Sequence, residues 1–284
     1  MADEPGVYVP HPADEEPSYT FYYHPIGFRG NFVRHLLAFQ NIPFVQATTD
    51  ELREIRKITP EDAASSNGPL FMAPPLLHDE RNDLYLSQMP VIVQYLSRRH
   101  GLAPSDPIQL AIGEKILHDC NDILNEVTRN CGAQMWTNAR QWSEFRDKRF
   151  KKWLQILEET GKRRGLGASS GYYLGTGKAT FADLAIFSML WTMEEGLAAL
   201  SQFLRDTAPC CMALCDRLLH KSLPLSGFCT RHMNKDVYCG GYIEVRVYLF
   251  ATSLRMLHVC AGHVRQDLTP GCVLFHFHHS HRQV

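Results

Sequence analysis

The stretch YTFYYHPIGFRGNFVRHLLAF, residues 19–39, changes period at its centre. Tyr19, Phe21 and Tyr23 fall on one side of an alternating run, the pattern of a strand. A Pro25–Gly27 turn follows, and Arg29 opens a new run. In that run Phe32, Val33, Leu36 and Leu37 make an apolar stripe of helical period. A strand therefore passes through a tight turn into a helix, with two adjacent tyrosines at the strand end. The pleat sends Tyr22 and Tyr23 to opposite faces, so at most one phenol serves the turn; a strand aromatic packed under the helix is the alternative.

Outward from this unit, PFVQATT (43–49) reads as a second short strand. PPLLHDERNDLYLS (74–87) reads as a hairpin with the polar tip Glu80–Asp83. PVIVQYLSRRHG (90–101) reads as a helix ending in basic residues and a glycine, as a helix C-terminus prefers. The order β-α-β, then β-β-α, describes a small sheet carrying helices. LAPSDP (102–107) is a linker. From Ile108 to about Leu219 the period is helical. Ile108, Ile112, Ile116 and Ile123 lie near one face, and Phe145, Phe150, Trp153, Leu154 and Leu157 repeat the arrangement further on. DLAIFSMLW (183–191) is apolar nearly all round, which predicts a buried central helix. The expected fold class is α+β: an N-terminal α/β domain followed by an all-α bundle. The expected boundaries are a disordered acidic, Pro-rich arm (1–17), the mixed domain (18–100), the linker (101–107), the helical domain (108–224) and an unassigned tail (225–284) with no sustained period.

The chain has 284 residues and a formal net charge of -1, so no global field points to nucleic acid or an anionic membrane. No apolar run reaches the ~18 residues a transmembrane helix needs. The N-terminus lacks the basic start and apolar core of a signal peptide. The nine cysteines then read as reduced thiols in a cytoplasmic protein.

Three stretches carry chemistry or its framework. In FMAPPLL an X-Pro bond needs only ~0.5–1 kcal/mol to go cis. A cis Ala73–Pro74 bond would turn the Ala73 backbone outward to pair with an extended peptide; an ordinary trans loop is the alternative. In YLSQMPVIVQYL, Gln88 stands where the unpaired first-turn N–H groups of a helix attract a carboxylate; a simple cap by Ser87 or Gln88 is the alternative. In YLGTGKATFADLAIF, Thr180 and Asp183 form a capping box, a folding element rather than a catalyst. GTGK lacks the spacing of a phosphate loop. CCMALC (210–215) reads as small apolar core residues, and no CxxC motif exists. His276, His278, His279 and His281 make an adventitious metal binder, and no functional metal site is expected.

In this order and at these distances, the strand-turn-helix unit, APPLL, LSQMPVIVQYL and YLGTGKATFADLAIFSML resemble the cytosolic glutathione transferase family over about 19–222, its tyrosine-type (sigma, mu, alpha and pi) classes in particular. The resemblance implies a thioredoxin-like N-terminal domain and an all-helical C-terminal domain. It places Tyr23 on the catalytic tyrosine, which donates to the glutathione thiolate. It places Pro74 on the cis-proline, Ala73 on the residue whose backbone pairs with the cysteinyl unit, and Gln88 on the holder of the γ-glutamyl end. Met89 stands where the family usually has a serine or threonine gripping the γ-glutamyl carboxylate. The usual tryptophan and lysine for the glycyl carboxylate are absent, and Arg53, Arg56 and Lys57 are near but out of register. Asp122 is the residue expected to approach a partner subunit's site. The implied function is conjugation of glutathione, as co-substrate, to small hydrophobic electrophiles in detoxification, with glutathione-dependent isomerisation as a related activity. The implied assembly is a cytoplasmic homodimer without nucleic-acid or membrane partners. The alternative is a catalytically weak, transferase-like binding module, for which Met89 is the motive.

Overall fold

The computed structural model describes residues 7–8, 18–25, 27–66, 68–129, 136 and 138–231. The histidines at 276, 278, 279 and 281, and most of the stretch expected as a tail, lie outside these residues.

Strand β2 (Tyr19–Tyr22) leads through the turn into helix α1 (Arg29–Phe39), as the period change predicts. Strand β3 (Phe44–Gln46) is shorter than expected. The chain leaves it because Thr48 caps helix α2 (Thr49–Ile55): the Glu51 N–H donates to the Thr48 hydroxyl at 3.1 Å, and the Thr48 N–H donates to the Glu51 carboxylate at 2.7 Å. Thr59 and Asp62 repeat the device ahead of helix α3 (Pro60–Ser66). The expected hairpin forms as β4 (Leu76–Asp79) and β5 (Leu84–Ser87), followed by α4 (Met89–Arg99). The arm is not wholly without structure, because β1 (Val7–Tyr8) pairs antiparallel with β3. The sheet order is β1-β3-β2-β4-β5; β2 and β3 run parallel and the other neighbours antiparallel. This is a thioredoxin-like sheet.

The helical part follows as α5 (Pro107–Thr128), α6 (Ala139–Phe145), α7 (Lys151–Lys162), α8 (Phe181–Gly196), α9 (Ser201–Thr207), α10 (Pro209–Lys221) and α11 (Leu223–Arg231). One π-helical turn, Arg146–Phe150, joins α6 to α7 and sinks Phe150 into the core. Helix α8 is the centre. Every residue from Phe181 to Met193 is buried, against α1, α5 and α10. Its start is held by the capping box: the Thr180 N–H and hydroxyl both donate to Asp183 Oδ2 at 2.8 Å, and the Tyr173 N–H donates to Oδ1 at 2.7 Å. These bonds compensate the cost of a carboxylate that is 0% exposed.

The expected end of the helical domain at 224 needs correction. Helix α11 crosses it and packs on α1 and α10, with Leu225, Phe228 and Cys229 buried. Its sequence, LPLSGFCTR, carries a proline and a glycine that obscure the helical period, and tertiary packing overrides that weak propensity. The cysteines of CCMALC are buried along α10, as expected of core residues.

Candidate functional site

Cross-strand register defines the site. Tyr22 pairs with Leu76, and Leu76 pairs with Ser87. The next residue on each strand toward the same end of the sheet is Tyr23, Pro75 and Gln88. Three separated segments therefore end on one line across β2, β4 and β5. At ~4.8 Å per strand the line spans about 10 Å.

Tyr23 points toward α1 and is buried, whereas Tyr22 is half-buried on the other face. Burial raises the Tyr23 phenol above its ordinary range, and the charges of Arg34 and Arg29 and the Gly30 and Arg29 N–H groups only partly offset this. Those N–H groups donate to the hydroxyl oxygen, which thus occupies the unpaired start of a helix whose N-cap, Phe28, provides no side-chain bond. Among the described residues nothing accepts from the O–H, whose proton is left to a third group. Tyr22 is pushed up to about 12, chiefly by burial and then by Tyr85, Glu51 and Glu80.

Arg34 braces this corner. Its guanidinium lies 5.5 Å from the Phe21 and Tyr23 ring centroids. It donates to Gln46 Oε1 and to the His24 carbonyl, each at 2.8 Å, and Gln46 donates in turn to the carbonyls of Phe21 and Tyr23 at 3.0 and 3.2 Å. Arg29 reaches α5, where its Nε donates to Asn121 at 3.0 Å. Asn31 donates to Thr192 at 2.8 Å, and His35 Nδ1 lies 3.0 Å from the Ser188 hydroxyl. Helix α1 is thereby pinned to α5 and α8. None of Arg29, Gly30, Arg34 and Asn121 is singled out by the sequence reading. Arg29 has a signal, a cation at the first helical position beside a candidate phenol; Asn121 has none.

The proline reading shifts by one residue. The cis bond is Pro74–Pro75, not Ala73–Pro74. Both are X-Pro bonds with the same small penalty, and only the ladder, which begins at Leu76, distinguishes them. Pro75 is buried, Pro74 half-buried and Ala73 exposed. Neither proline has an N–H, so the first backbone donor upstream of β4 is Ala73. Gln88 is exposed at the N-cap of α4 with φ +70°, a left-handed conformation uncommon for glutamine. The Met89 side chain is 1% exposed within the hydrophobic core. Of Met89, only the backbone is left to a ligand. Asp122 is exposed on α5. Thr180 and Asp183 hold the start of α8 and the Tyr173 backbone beside it, away from this line. Among the described residues no cluster suits a metal ion, and no helix is long and apolar enough to cross a membrane.

Residues 112–249 match the family model for the glutathione S-transferase C-terminal domain. By that match the helical part of the chain is a glutathione S-transferase C-terminal domain. The N-terminal thioredoxin-like sheet and the helical domain after it have the family's order. The pi-class glutathione S-transferase of Onchocerca volvulus superposes with a TM-score of 0.62 at 20% identity, over 79% of this chain and 99% of that one. The Fasciola hepatica sigma-class transferase gives 0.61 at 17% identity, over 77% and 98%. Monomeric Na-GST-3 from the hookworm Necator americanus gives 0.59 at 16% identity, over 77% and 99%. At these identities the likeness concerns the fold. Among curated proteins no sequence match is found.

Proposed function

We propose that the chain is a glutathione transferase. The observation that carries the reading is the register Tyr22–Leu76–Ser87, which supports a line of Tyr23, Pro75 and Gln88 about 10 Å long. An extended tripeptide has the same length, at ~3.3 Å per residue. Glutathione would lie along it with its thiol at Tyr23, its cysteinyl unit beside Ala73 and Pro74, and its γ-glutamyl end at Gln88. The fit is partial. Pro74 can only accept, and Met89 contributes no side-chain group.

Ionising a thiol of pKa ~8.5 near neutral pH requires a shift of roughly 1.5–2 units, or ~2–3 kcal/mol. A hydrogen bond to a charged group contributes about 1.5–3 kcal/mol, so one positioned phenol is nearly sufficient. Tyr23 is suited to donate. Its raised pKa keeps the proton on oxygen, and the Arg29 and Gly30 N–H groups polarise the hydroxyl from behind. The thiol loses its proton to solvent. The thiolate sulfur bonds to the electrophilic carbon, and the leaving group departs with the electron pair.

The test is turnover of 1-chloro-2,4-dinitrobenzene with glutathione, wild type against Tyr23→Phe. A drop of about tenfold to hundredfold is expected in the variant; equal rates refute the role of Tyr23. A second reading, a binding module with weak catalysis, draws on buried Met89 and the N–H-free Pro74–Pro75 pair. Calorimetry decides it: micromolar glutathione affinity removes its basis.

A homodimer accords with the apolar surface formed by Leu84, Leu86 and half-exposed Val91, beside Gln94, Tyr95 and Arg98, around a groove of about 440 Å³. Met72 is 94% exposed and supplies a second apolar surface. One relative of the same fold is described as monomeric, so light-scattering mass is the deciding measurement. A cytoplasmic location belongs to the same proposal.

A further inference from the structure

Past Tyr23 the chain continues into His24, whose imidazole meets the Tyr23 ring edge-on with centroids 5.8 Å apart and planes at 68°. The residue is half-buried. Among the described residues no hydrogen bond reaches either ring nitrogen; the bond that His24 accepts is at its carbonyl, from Arg34. That bond, with Arg34 stacked on Tyr23, fixes the backbone on which the imidazole is mounted. Burial lowers its basicity, and the charges of Arg56 and then Arg34 lower it further. The ring is therefore neutral at pH 7, with one N–H to donate and one nitrogen to accept.

We infer that His24 is a specificity-determining residue that donates a hydrogen bond to the carbonyl oxygen of α,β-unsaturated carbonyl electrophiles. The inference rests on the transferase reading of Tyr23. When the thiolate adds to such a molecule, the sulfur lone pair forms the bond to the β-carbon. The C=C pair moves to the adjacent position and the carbonyl pair moves onto oxygen. Negative charge appears there only as the reaction proceeds, and a fixed neutral donor favours that state over the ground state. The enolate carbon then takes a proton from water. A benzyl halide has no such oxygen, since its charge leaves with the halide, and it gains nothing from the donor.

The experiment compares kcat/KM for an enone and a benzyl chloride, each with glutathione, in wild type, His24→Phe and His24→Gln. The enone-to-halide ratio should fall about tenfold in His24→Phe, the size of one neutral hydrogen bond, and recover in His24→Gln, which keeps an N–H. An unchanged ratio in His24→Phe, or the same loss in both variants, overturns the inference while leaving the transferase reading intact. If wild type turns over neither electrophile, the transferase reading fails and this inference with it. Calorimetry of the wild-type protein supplies a second readout. The 3-oxoalkyl thioether of glutathione should bind more tightly than the matched alkyl thioether, and equal affinity overturns the inference.

Discussion

The start of α1 closes on the ring of Tyr23 at Gly30, where a β-carbon would overlap the ring and sit 2.8 Å from Arg34 Nη1. The two residues fit because one has no side chain. The approach lets the Gly30 N–H reach the phenol oxygen. Helix propensity alone would favour alanine at this position by up to about 1 kcal/mol. The overlap reverses the sign. Gly30→Ala should destabilise by about 1–3 kcal/mol in urea unfolding and should weaken the glutathione thiolate absorbance along with stability. A gain in stability would contradict the packing.

His35 makes stability depend on acid. It is 0% exposed, among the rings of Phe187, Trp191 and Phe228 at 5.0, 5.2 and 6.0 Å. Its Nε2 has no partner among the described residues. Burial, and then Arg34, lower its pKa to about 3. The unfolded chain takes up this proton near pH ~6.5, whereas the folded one resists it. Stability should therefore fall as pH drops from ~6.5 toward 3, because the unfolded state binds more protons there. In His35→Gln the slope of unfolding free energy against pH over that window should flatten.

Glu158 joins α7 to α10. Its carboxylate accepts the Cys210 N–H at 3.1 Å and the Cys211 N–H at 3.0 Å, at the unpaired start of α10, and Lys162 pairs with it at 2.9 Å. Burial alone would raise this carboxyl, but Lys162 and the two N–H groups outweigh it and hold the group below its usual range. A depressed carboxylate stabilises the fold above its unfolded value of ~4.3, and this contribution is lost as pH falls through the folded value. Glu158→Gln should cost about 1–3 kcal/mol at pH 7 in denaturant unfolding, and less at pH 3.

Phe228 ties α11 to the first half of the chain, against His35 at 6.0 Å and Phe44 at 6.5 Å. Phe228→Ala should destabilise by about 3–5 kcal/mol. Calorimetric Tm is the check, and a shift within error would mean that α11 is dispensable.

Local units were legible in the amino-acid order. The period change at Tyr23–Arg29, the hairpin tip at Glu80–Asp83, the buried helix at DLAIFSMLW and the box Thr180–Asp183 are set by side-chain spacing and capping chemistry within a few residues. The same short-range logic at Thr48–Glu51 and Thr59–Asp62 was equally readable, and it marks α2 and α3. The pleat separated Tyr23 from Tyr22. The remaining features arise in the folded molecule, because they depend on partners outside each local unit. Which proline bond is cis follows from the ladder starting at Leu76. The burial of Met89 follows from how α4 lies on the core. Gly30 against Tyr23, Arg29 on Asn121 and His35 on Ser188 join residues 7, 92 and 153 positions apart, and no local pattern encodes such meetings.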